Sequence, residues 1–168
     1  TFIFHAYWAV PADMQMVRQL FENCLKAGRI VRLDDAFLDR VRKALPDLAP
    51  MRVSPRTGQL QEWLEDWDAE SPGNGQILSL WGLVCSNQID RRRTPDLARA
   101  IRKSLDDRKP WDLWVGSWTG AFASNAFARL GDGDQALMVL NRHLARAVNP
   151  NLTARFEGMA DWEIDGNM

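Results

Sequence analysis

The apolar positions of this chain recur with a helical period rather than the two-residue period of a strand. Val17, Leu20, Phe21, Cys24 and Leu25 keep the i, i+3, i+4, i+7 spacing, with Asp13 as the expected N-cap and Gly28 near the end. Phe37, Leu38, Val41, Ala44 and Leu45 define a second helix, capped by Asp34 and stopped by Pro46. Ile77 to Cys85 is apolar enough for a buried helix. Thr94-Pro95-Asp96 opens the next, with proline at the first helical position, an acid in the first turn, and Leu97, Ile101 and Leu105 as its stripe. Thr119 to Leu130 reads as a helix of small residues ended by Gly131. Leu137, Leu140, Leu144 and Val148 mark a last one, closed by Asn149-Pro150. Between them, S-P-R-T-G at 54–58 has turn composition, and Ser71 to Gly75, Trp111 to Trp118 and Asn151 to Met168 read as loops. Residues 1–12 read as the tail of an element that starts upstream.

About six helices in antiparallel pairs, without a convincing period-2 strand, predict an all-α toroid or solenoid. No repeat of fixed length recurs, which argues against tetratricopeptide or HEAT arrays.

The stretch Gly58 to Asp68, G-Q-L-Q-E-W-L-E-D-W-D, concentrates the candidate chemistry: two glutamines, four carboxylates and two tryptophans. Indole faces suit the C–H face of a pyranose, and carboxylates and carboxamides accept hydrogen bonds from its hydroxyls. On a helix, Trp63 and Trp67 would share a face. The same spacing, with Leu64, equally describes a plain core stripe.

Composition excludes several classes. At 168 residues the chain is the size of one domain, with 46% hydrophobic and 26% charged residues. A net charge of −1 leaves no basic footprint for nucleic acid or an anionic membrane. No apolar run reaches the length of a membrane span. Cys24 and Cys85 form no metal pattern, and each lies in an apolar stretch where a buried thiol is expected. His5 and His143 lack ligand spacing, so no metal or cofactor is expected. Arg91-Arg92-Arg93 reads as a solvated charge run, and Asp132-Gly133-Asp134 as a helix-to-helix turn rather than a calcium loop. Eight tryptophans against one tyrosine fit an aromatic-lined cleft or wide helix contacts. The chain does not begin with methionine and stops abruptly at Gly166-Asn-Met168, so it reads as a piece of a longer polypeptide, and the lack of a signal peptide in it leaves the compartment open.

Several motifs carry a resemblance. G-Q-L-Q-E-W-L-E-D-W-D at 58–68, W-G-L at 81–83 with N-Q-I at 87–89, A-R-L-G-D-G-D-Q-A at 128–136 and I-D-G-N at 164–167 resemble, in this order, glycoside hydrolase family 95. D-M-Q at 13–15 resembles the segment preceding Q-L-Q-E-W there. The resemblance implies that residues 1–168 are a single partial domain, the later half of an (α/α)6 barrel. It implies inverting hydrolysis of terminal α-L-fucosyl or α-L-galactosyl linkages in a glycan, with the upstream half of the same polypeptide as partner. Asp165 matches the aspartate that makes a water-activating asparagine more basic. Gln61, Glu62, Trp63, Trp118 and Asn167 fall to substrate binding. The general-acid glutamate and the asparagine pair of the family lie upstream, so Glu62 is not the acid.

The chain also departs from the family pattern. Gly75 and Gln76 stand where the family has an Arg-His pair, Ala123 where it has a lysine, and Met159 to Glu163 where it has H-P-P-F-Q. A catalytically inactive helical carbohydrate-binding or scaffold fragment is therefore the alternative. A third possibility is a piece with no function by itself, whose exposed inner helices self-associate.

Overall fold

The computed structural model describes residues 10–33, 35–67, 77–109, 117–151, 153–155 and 162–163. Within them run six α-helices: α1 (Pro11–Val31), α2 (Ala36–Ala44), the single turn α3 (Trp81–Val84), α4 (Pro95–Arg108), α5 (Ser117–Leu130) and α6 (Gly133–Arg146). A 3-10 turn, Leu45–Asp47, extends α2, and another, Leu78–Leu80, leads into α3. Extended pairing among the described residues is limited to Ala154–Arg155 against Trp162–Glu163 and two isolated bridges. The all-α expectation holds, and the packed helices have the arrangement of part of an (α/α)6 toroid.

Helix α1 begins two residues before the expected cap, because Pro11 at the first turn needs no hydrogen-bond acceptor for its nitrogen. Asp13 sits in that first turn, where its charge complements the helix dipole. The helix runs past Gly28 and ends at Arg32, which adopts the left-handed conformation at φ 55. Gly28 marks a crossing instead: a Cβ there would run into Leu38 of α2. Asp35, not Asp34, is the residue that caps α2, accepting from Phe37 N (2.9 Å) and Leu38 N (3.0 Å). Asp34 lies outside the described residues, as do residues 1–9 with His5, 68–76, 110–116 and most of the C-terminal stretch.

Leu60, Leu80, Leu83, Ile101, Leu105 and Phe127 form the centre of one apolar core shared by α3, α4, α5 and the 58–67 loop. Each such side chain contributes roughly 1.5–3 kcal/mol by leaving water. The stripe expected on α4 is present, with Ile101 and Leu105 fully buried. Helix α5 starts at Ser117 and ends in a Schellman motif, with Gly131 (φ 81) donating to Ala128 O and Asp132 N to Phe127 O. Asp132 then caps α6 through Gln135 N (3.1 Å), so D-G-D is a helix-to-helix turn.

On α6 the buried face is not the one the leucine spacing predicts. Val139 and His143 are buried, while Leu137 and Leu144 are 57% and 49% exposed. The helix is apolar on two faces, and α5 covers the one carrying Ala136, Val139 and His143. Gly120 allows this close approach, since a Cβ there would stand 2.7 Å from His143 Nδ1. The cysteine expectation also fails: Cys85 is exposed at the C-cap of α3, and Cys24 is half-buried.

Candidate functional site

The S-P-R-T-G turn sets the geometry of the motif that follows it. Buried Ser54 organises the turn: its Oγ accepts from Thr57 N (3.0 Å) and Arg56 N (3.2 Å) and donates to Asp66 Oδ2 (3.0 Å). Gly58 takes φ 72, which lets the chain reverse so that Val53 bridges Leu60. Gln61 N donates to Arg52 O at 2.9 Å. The chain is thus extended at 60–61 and pinned again at Asp66, and residues 62–66 bend without forming a helix. The helical face expected for Trp63 and Trp67 is absent. Trp63 is half-buried, and Trp67 is 48% exposed.

Glu62 is buried, and its carboxylate is engaged by the chain itself. Oε1 accepts from Ser79 Oγ at 2.6 Å and Oε2 from Leu78 N at 3.2 Å, so Glu62 closes the open amide end of the 78–80 turn. Arg108 Nη1 lies 3.8 Å from Oε1, and both side chains are only 7% exposed. Arg108 Nε donates to Gln59 Oε1 (3.0 Å), and Gln59 Nε2 donates to Asp107 Oδ2 (2.8 Å). Burial works against the Asp107 charge, but hydrogen bonds from Lys103 and Gln59 and the charges of Lys103 and Arg108 hold its carboxyl below the usual aspartate range.

A second buried side chain grips the same segment from α1. Gln15 accepts from Gly82 N (2.9 Å) and donates to Ser79 O (3.2 Å). Position 82 must be glycine for this, because a Cβ would lie 2.8 Å from the Gln15 carboxamide. Two polar side chains from distant parts of the sequence thus fix residues 78–82.

The structure therefore brings Glu62, with its chain neighbours Gln61 and Trp63 on either side, to a cluster of Arg108, Ser79 and Gln15. Sequence reasoning missed the last three. Gln15 follows buried Ala12 by three positions, and Arg108 follows Ile101 by seven and Ser104 by four, so a polar residue on a buried stripe was the available signal. Trp118 stands on the first turn of α5, edge-on to Phe122 with centroids 5.7 Å apart. Ala123 is fully buried in the apolar core, so a lysine there would displace packed side chains. Asp165, Asn167, Gly75 and Gln76 lie outside the described residues.

A second feature adjoins this cluster through Asp107. A groove of about 600 Å³ along α4 is lined by Arg91, Arg99, Arg102, Lys103, Asp106 and Asp107. Its charges largely satisfy one another: Arg102 pairs with Asp106 (2.8 Å) and Asp132 (2.6 Å), and Lys103 with Asp107 (3.0 Å). Among the described residues no group of three metal-ligating side chains forms, and no helix is long and apolar enough to cross a membrane.

Comparison with known proteins covers nearly the whole chain. Alpha-L-fucosidase 2 of Arabidopsis thaliana is 26% identical over 148 residues, which is 87% of this chain but 17% of that relative. The chain therefore spans about a sixth of the length of that curated relative. The family model described as the glycosyl hydrolase family 95 catalytic domain matches residues 5–168. With a match of that extent over the Q-L-Q-E-W loop and the hairpin that follows it, the chain belongs to the glycosyl hydrolase family 95 catalytic domain.

Proposed function

We propose that the polypeptide carrying this chain is an inverting glycoside hydrolase that removes terminal α-L-fucosyl, or α-L-galactosyl, residues from a glycan. The observation that carries this reading is the family match over residues 5–168, supported by the name of the Arabidopsis relative. Residues 1–168 form one partial domain, the later half of the toroid, completed by the upstream half of the same polypeptide. In inverting hydrolysis one carboxylic acid protonates the leaving oxygen while a base on the opposite face activates water. The acid belongs to the upstream half. Asp165 orients and polarises the group that activates the water. Trp63 and Trp118 line the site, Gln61 and Asn167 contact the sugar, and Glu62 shapes the wall.

The test is L-fucose release from a fucosyl-α-1,2-galactoside by the full-length protein, with the anomer first formed read by proton NMR. Initial release of β-L-fucose is expected. Asp165→Asn should lower kcat by about a hundredfold or more, and unchanged turnover would remove its role.

A second reading, a catalytically inactive carbohydrate-binding protein, is favoured by Gly75, Gln76 and the core position of Ala123. Fucoside binding by the full-length protein without turnover would select it.

A further inference from the structure

Helix α6 gives way to a tight reversal of the chain. Val148 bridges Ala154, and Asn149 N donates to Thr153 O at 2.8 Å, so the backbone turns back on itself with Asn151 in the middle. The sequence there is Asn151-Leu152-Thr153, an asparagine two places before a threonine with a residue other than proline between them. That triplet is the acceptor pattern for N-linked glycosylation, and it occurs once in the chain.

The turn treats the two ends of the Asn151 carboxamide differently. Oδ1 accepts from Thr153 N (3.2 Å) and from Thr153 Oγ1 (2.8 Å), and Asn149 Nδ2 donates to the same hydroxyl (3.1 Å). A backbone N–H can only donate, so the atom facing it must be the oxygen, which fixes the way the amide points. Nδ2 stands on the other side of the carboxamide and has no partner among the described residues, and Asn151 is exposed. An aspartate would cap such a turn equally well. The turn therefore accounts for the oxygen and leaves the nitrogen without a task.

We propose that Asn151 is the attachment point of an N-linked glycan, added where the polypeptide meets a lipid-pyrophosphate oligosaccharide and its transferase. In the transfer, Nδ2 attacks the anomeric carbon of the donor. The new N–C bond forms as the bond from that carbon to the pyrophosphate oxygen breaks. The pyrophosphate leaves with the electron pair, and the nitrogen gives up one of its two protons to the transferase. The fold accommodates the product, because the sugar projects from the centre of an exposed turn. Both bonds to Oδ1 survive, since the modified nitrogen is not the atom that makes them. Here the chain carries a sugar and does not cleave one, so this assignment is independent of the glycosidase reading.

The test secretes the full-length protein from eukaryotic cells behind a cleavable signal peptide. The tryptic peptide 147–155, from medium and cell membranes alike, is read by mass spectrometry before and after peptide N-glycosidase in heavy-oxygen water. Wild type and Thr153→Ser should carry the glycan, and the enzyme should convert Asn151, not Asn149, to labelled aspartate. Thr153→Ala and Asn151→Asp should be unmodified. Asn151→Asp keeps the acceptor oxygen, so it should melt at the same temperature as enzymatically deglycosylated wild type. An unmodified 147–155 peptide from wild type overturns the assignment. A glycosylated wild type that melts far below Asn151→Asp overturns it too, because the sugar would then press against the rest of the polypeptide. Failure to hydrolyse fucosides moves none of these readouts.

Discussion

The α5–α6 hairpin and the 58–67 loop are held by opposite kinds of contact. In the hairpin the decisive bonds join residues three to five positions apart, as in Asp132 with Gln135 and Gly131 with Ala128. In the loop they reach across the sequence: Glu62 to Ser79, Leu60 to Ser104, Arg108 to Gln59. Local contacts form with little loop-closure cost and persist when distant packing loosens. The loop takes its shape from the 54–58 turn before it, from residues 78–80 and from the end of α4. A candidate site built this way is sensitive to substitutions far from it in the chain.

The sharpest way to break that contrast is Glu62→Ala. Removing Glu62 deletes one member of a buried ion pair together with the acceptor for Ser79 and Leu78, and roughly 3–5 kcal/mol of unfolding free energy should be lost. Urea denaturation measures it; a loss under about 1 kcal/mol would mean that the loop has another anchor. On the hairpin side, Gly131→Ala forces a side chain into the left-handed conformation and against Arg91, costing about 1 kcal/mol. Its effect should stay within the hairpin: amide exchange should quicken at 128–136 and not at 78–82.

A smaller effect is pH-dependent. The Gln135 amide and then Arg102 hold the Asp132 carboxyl below the usual aspartate range. A folded value below the unfolded one stabilises the protein above the ordinary aspartate pKa, and that stability is lost as pH falls through the folded value. The difference in melting temperature between wild type and Asp132→Asn, open at pH 7, should therefore close on acidification. The smallest effect belongs to the Asp96–Arg99 pair, whose side chains are 79% and 73% exposed. Asp96→Ala should shift stability by no more than about 0.5 kcal/mol.

Legibility in the sequence divides along the same line. The helices of the hairpin, its Gly131 stop and the Pro95 start were readable because the signals are local. Which face of α6 is buried was not, because Leu137 and Leu144 compete with Val139 and His143, and only the position of α5 decides between them. The Trp63–Trp67 spacing looked helical, yet Ser54 and Glu62 bind partners that a helix through 62–66 would not reach. Gln61 and Glu62 were picked out as residues, but their different environments depend on Ser79 and Arg108, which no spacing rule connects to them.

The outer row of α6, with Leu137, Met138 and Leu144 at 57%, 40% and 49% exposure, has a practical consequence. Such a greasy strip makes collisions between molecules adhesive, so a preparation of this chain should show a negative second virial coefficient by light scattering. Replacing Leu137 and Leu144 by lysine should turn that sign positive while leaving the helical circular dichroism intact.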